Sequence, residues 1–176
     1  MGLNYVDLDE TTRDYMLREL ASDVAAKKVY ISSNFNDTGK KIWLEIFSES
    51  IRKYDDEWLA IQLKRKECFL DKKPFMTKTG STSFRSVPYN AAETFAEGEF
   101  NRLYMRAICL RALEGPGNVI VYRGKDVDKP RPESQSKIGS IVSANELLID
   151  LRNSQGSGTR LGIGEPNSGI SVKLSR

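Results

Sequence analysis

The chain has 176 residues, 39% hydrophobic and 29% charged, with a formal net charge of +3. That length and balance fit one folded domain with a real core, exclude a disordered polyelectrolyte, and do not by themselves imply nucleic acid. Histidine is absent and the two cysteines, Cys68 and Cys109, lie about forty residues apart, so the commonest general base and the usual zinc spacings are both missing.

Taken in order, Asp9 or Thr11 caps a first predicted helix over 10–26, with Met16, Leu20 and Val24 along one face and Leu17 and Ala21 beside them. "KKVYISS" reads as a short strand at 29–32, and "NFNDTG" as a turn. Thr38 opens a second helix running to about Tyr54, with Ile42, Ile46 and Phe47 inward. Asp55 or Asp56 caps a short third helix carrying Trp58, Leu59 and Leu63. Residues 64–89 have no helical period, and "STSFRSV" within them reads as an edge strand or an extended arm. Asn90 with Glu93, then Gly115 with Pro116, bound a long helix over 91–114. "NVIVYR" at 118–123 is a buried strand, "DKPRPES" an extended loop, and Ser143 with Glu146 caps a helix over 144–152 bearing Leu147, Leu148 and Leu151. A glycine-rich connection, 153–169, leads to a last alternating strand, with Ile170, Val172 and Leu174 on one side.

The long helix carries two apolar stripes. Ala92, Ala96, Phe100, Leu103, Ala107 and Leu110 form one; Met105, Ile108 and Ala112 form the other. Glu99, Arg102 and Arg106 fill one seam between them, and Glu93, Glu97 and Arg111 the other. A helix apolar on two faces is packed on two faces, so the seam charges are expected to be partly buried and paired, Glu99 with Arg102 first. The alternative use of Arg102 or Arg106 is to grip a carboxylate or phosphate. The expected fold is therefore α+β: one domain over 1–176, about five helices around the central 91–114 helix, and a small mixed or antiparallel sheet from 29–32, 82–87, 118–123 and 170–174.

Several short motifs weaken on inspection. "STS" at 81–83 and "EGE" at 97–99 resemble ADP-ribosyltransferase signatures, but the glutamates fall inside a capped helix rather than at a strand junction. Gly156, Gly158, Gly162 and Gly164 lack the strand, helix and lysine of a phosphate-binding loop. Asp55, Asp56 and Glu57 suit a helix N-terminus better than a metal cage, and Asp126 with Asp128 lacks the glutamate–lysine partner of a nuclease site. No catalytic, cofactor-binding or metal-binding residue is assigned, and a non-enzymatic protein is expected. No run is apolar enough for a membrane span, and Val6 replaces the Ser or Thr that a myristoylated Gly2 requires.

Charge is unevenly spread. Residues 1–63 carry net −4, 64–85 net +5 and 86–176 net +2. The basic stretch, an extended arm over 64–89, interleaves Lys64, Arg65, Lys66, Lys72, Lys73, Lys78 and Arg85 with Phe69, Phe75 and Phe84. Three readings apply: a solvated loop with its phenylalanines tucked into the core, an arm lying on an acidic protein surface, or a grip on single-stranded nucleic acid. These ten residues are the candidate partner-binding set.

"AAETFAEGEFNRLYMRAICLRA", "RPESQSKIG" and "EPNSGISVKL", together with "LDETTRDYMLRELASDV" and "DDEWLAIQL", resemble segments of an uncharacterised family of small bacterial, prophage and phage proteins. The likeness runs in order along most of the chain and transfers no catalytic residue. It implies a phage-associated structural protein of the virion, such as a capsid-bound, cement or head–tail component. Its expected partners are other virion subunits or further copies of itself, with nucleic acid as the lesser alternative, and its expected place is the virion or the host cytoplasm. The alternatives are a nucleic-acid-binding regulator and an inhibitor of a host defence system.

Overall fold

The structure is a computed structural model that describes residues 2–154, 158–165 and 167–175. Among these, six helices and two small antiparallel sheets form an α+β fold. α1 (Glu10–Ala25) starts where the Asp9 carboxylate accepts from Thr12 N. α2 (Asp37–Lys53) is capped by Asn36, one turn position earlier than the Thr38 start expected from sequence, and α3 (Asp56–Arg65) by Asp55. Each cap side chain satisfies a backbone N–H that the first helical turn leaves without a partner. A hairpin of β1 (Lys72–Met76) and β2 (Thr82–Ser86) follows.

The central helix, α4 (Ala91–Leu113), is surrounded by α1, α3, α6 and the C-terminal strand. Phe100, Leu103, Met105, Ala107 and Ile108 are fully buried, so both apolar stripes are covered. Asn90 occupies the N-cap position but makes no side-chain cap hydrogen bond, and Glu93 turns instead to Lys64. β3 (Asn118–Arg123) then leads through a single helical turn, α5 (Pro132–Gln135), to β4 (Ile141–Ser143), α6 (Ala144–Asn153) and β5 (Ile170–Leu174). The three-stranded sheet has the order β4-β3-β5 and is antiparallel throughout. Asn101 ties α4 to it: its amide donates to Ile170 O at 3.0 Å and its carbonyl accepts from Ser171 Oγ at 2.6 Å.

Four expectations need correction. Residues 29–32 form no strand; Tyr30 stacks on Phe95 instead. Residues 82–86 pair with 72–76 and do not join the central sheet. The "DKPRPES" stretch contains the α5 turn rather than remaining extended. The buried face of α1 is Thr12, Met16, Glu19, Leu20 and Asp23, while Val24 is 45% exposed. That face is rotated because two arginines of α4 demand carboxylates opposite them.

The described part of the glycine-rich connection is folded onto the body. Asp150 accepts from Arg160 N and Leu161 N, Ile163 is buried, and Gly164, at φ 80°, lies so close to Met105 that a Cβ would collide with it. Gly156, expected in a flexible connection, lies outside the described residues.

Candidate functional site

The basic stretch divides in two. Its first part belongs to the body. Lys64 and Arg65 complete the last turn of α3, with Lys64 ion-paired to Glu93, and Lys66 caps that turn while remaining exposed. Cys68 is fully buried, and Phe69 packs on Phe35 with ring centroids 4.9 Å apart. The backbone of 68–70 is laced to 34–36: Asn36 N donates to Cys68 O and Leu70 N to Asn34 O. These residues are not a free arm, because their apolar side chains complete the aromatic cluster around Phe95.

The second part projects as the β1–β2 ribbon. Thr77 N donates to Ser81 O and Val87 N to Asp71 O, so hydrogen-bonded pairs close the ribbon at tip and base. By alternation, Pro74 opposite Phe84 is a non-hydrogen-bonded pair. Its missing N–H costs the ladder nothing and removes a donor from the outer edge. At the tip, Gly80 takes φ 81° and donates to Thr77 O, as a three-residue hairpin loop requires.

Alternation also sorts the side chains. Lys73, Phe75, Ser83 and Arg85 share the face turned toward the body: Lys73 Nζ donates to Ser33 Oγ at 3.1 Å, and the Arg85 guanidinium lies 5.8 Å over the Phe75 ring. Lys72, Pro74, Met76, Thr82, Phe84 and Ser86 share the other face, and all are exposed. Met76 is 71% exposed and Phe84 65%. Lys78 sits at the exposed tip. Pro74 and Met76 were missed from the sequence, as was Tyr89, 93% exposed at the ribbon's foot. The "TKTGS" turn between two short runs was the available signal.

The charged seam of α4 is a second polar assembly. Arg106 donates from Nε to Glu19 Oε2 at 2.6 Å and from both terminal nitrogens to Asp23, at 2.6 and 3.0 Å. Arg152 adds a second hydrogen-bonded contact to Glu19, and Arg102 Nη2 donates to Glu99 at 2.6 Å. Three guanidiniums thus face three carboxylates. Burial works to raise the Glu19 carboxyl, but Arg152 and Arg106 outweigh it and hold it below the ordinary carboxylate range. Burial likewise works against the charge on Arg102, and Glu99 and Asp23 overcome it, keeping the guanidinium ionised. Arg106 is spent inside the fold and has no hydrogen-bonding edge left for a ligand.

No family model, curated protein or solved structure matches this chain. The remaining motifs are accounted for by geometry. Ser81–Ser83 lie in the ribbon's turn and β2, whereas Glu97 pairs with Lys125 and Glu99 with Arg102 on α4. Asp55 caps α3, Asp56 accepts from Leu3 N, and Asp126 and Asp128 are exposed. Burial pushes the Cys109 thiol up to about 12, which keeps it protonated. Among the described residues no group of three or more acidic or cysteine side chains is placed to hold a metal ion, and no helix is long and apolar enough to cross a membrane.

Proposed function

We propose that the protein is a non-enzymatic, phage-associated component of the virion, capsid-bound or at a head–tail junction, that docks its 72–86 ribbon onto a neighbouring protein subunit. The observation carrying this reading is the outer face of the ribbon. An isolated two-stranded hairpin is marginal in water, and this one turns Phe84, Met76 and Pro74 to solvent, with none of the described residues covering them. Lys72 on the same face and Lys78 at the tip flank that apolar strip with positive charge, with Lys73 and Arg85 on the face behind it. The partner chemistry that fits is a shallow apolar recess rimmed by carboxylates, with the aromatic as anchor and the lysines steering the approach. The sequence resemblance to phage proteins supplies the setting.

The test compares wild type with a Met76→Ser, Phe84→Ser double variant and with glutamate at Lys72, Lys73 and Lys78. Purified particles should contain the wild-type protein by mass spectrometry. Both variants should stay folded yet be depleted from particles at least tenfold at low salt, the charge variant's deficit shrinking as rising salt screens the repulsion. Wild-type protein absent from particles would overturn the reading. Salt-dependent binding to single-stranded DNA, lost in the lysine variant, would favour a nucleic-acid regulator; co-purification with a single host protein would favour a defence inhibitor.

A further inference from the structure

Along α4 lies a cleft of about 340 Å³, walled by the 30–34 segment, the first half of α4 and the described part of the connection after α6. It is more apolar than polar, with Tyr30, Phe95 and Leu151 among its lining residues, and it falls in the size range of small-molecule sites.

Three features of this cleft have no explanation within the chain. The first is Gly98. A glycine inside a helix costs about 0.5–1 kcal/mol relative to alanine. Packing does not demand it here, since a Cβ built on Gly98 meets nothing within 4 Å. The bare backbone leaves room for an atom the protein does not supply. The second is Arg102, one turn further along the same face and 8% exposed. Its Nη2 is taken by Glu99, and its Nη1 stands 3.5 Å from Asp23, an ion-pair distance rather than a hydrogen bond. Its Nε is buried with no acceptor. The third is Asn34, whose Oδ1 is buried with no donor. A lone buried donor and a lone buried acceptor along one cleft each carry a desolvation cost that a bound group would relieve.

Charge selects among ligands. Arg102 is the one cation of the cleft wall among the described residues, and Glu99 in the same wall already matches it. A phosphate or carboxylate would find no surplus positive charge. The geometry points to an uncharged heterocycle whose edge carries both a carbonyl and an N–H, and we infer that the cleft binds a nucleoside or its free base. The ring would lie against Tyr30 and Phe95, its carbonyl toward Arg102 and its N–H toward Asn34. Thr94 and Asn167, whose side chains share a long 3.4 Å hydrogen bond, would turn to the sugar hydroxyls.

The experiment is titration of the isotope-labelled full chain with adenosine, guanosine, cytidine and uridine, and with their 5′-monophosphates, followed by NMR. At least one nucleoside should saturably shift the Gly98 amide and the Arg102 Nε–H resonance, and its monophosphate should bind more weakly. Gly98→Leu should raise the melting temperature slightly while weakening binding at least tenfold; Gly98→Ala should also raise it. Unperturbed Gly98 and Arg102 signals with every nucleoside would overturn the inference. So would wild-type affinity in Gly98→Leu, tighter binding of the monophosphate, or saturation by a short uncharged peptide alone.

Discussion

Arg106 concentrates more of the fold's electrostatics than any other side chain described, because it alone contacts both Glu19 and Asp23. Truncating it would leave two buried carboxylates short of their partner. Breaking a buried pair in this way costs about 3–5 kcal/mol, a large share of the roughly 5–15 kcal/mol that holds a domain. Arg106→Ala should therefore unfold at much lower urea, and Arg106→Lys should rescue only part of the loss, since an ammonium cannot bridge both acids. Two carboxyls give opposite responses to pH. Glu19 gives up its proton more readily in the fold, so its contribution is present above the ordinary value of 4.5 and lost as pH falls through its depressed folded value. Asp56 is pushed up to about 6 by burial, against the Leu3 N–H that favours its charge and with Glu97 and Asp55 adding to the rise. Its contribution is complete below 3.8 and lost as pH rises through about 6. Stability should peak in mildly acid solution. Asp56→Asn should abolish the decline between about pH 4 and pH 6, worth about 1–3 kcal/mol, and thermal melts at about pH 4 and pH 7 measure it.

Among the elements, α4 was the most legible, since two apolar stripes on one helix admit only burial on both sides. Phe100 sits fully buried against Tyr5 and Phe47, and Phe100→Ala should cost about 3–5 kcal/mol. The helix caps at Asp9, Asp55 and Ser143 were equally legible, because a cap is a local interaction. What sequence hid was pairing. Residues 29–32 have strand composition and no partner, whereas "KKPFM" has lysines and a proline and does pair, because an exposed ribbon needs no apolar alternation. The charged face of α1 was hidden for the same reason: Glu19 and Asp23 look like surface residues until α4 is placed against them. The cleft was invisible to motif reading, as its glycine, asparagine and arginine come from separate stretches. The ribbon should be separable from the rest. Asp71 O and Val87 N are already 2.9 Å apart, so replacing 72–86 with a short glycine–serine turn should leave the melting temperature within a few degrees of wild type. Intact protein treated briefly with trypsin should be cut first at Lys78, leaving a folded body.

At the scale of the whole molecule, the contacts that bury α4 come from far along the chain in both directions. Asp23 meets Arg106 from 83 residues before it, and Ile170 meets Asn101 from 69 residues after. Such wide separations slow the search for the native state, because long loops must close before their contacts stabilise anything. During synthesis on the ribosome the order of arrival then matters. When α4 emerges, α1 and α3 are ready to receive two of its flanks, but α6 and the strand that accepts the Asn101 amide do not yet exist. A chain stalled before residue 170 would hold its central helix like a half-closed book, one buried-to-be face open to water. Nascent chains arrested at that length should be cut by protease within 91–113, and chains carrying all of residues 170–174 free of the ribosome should resist.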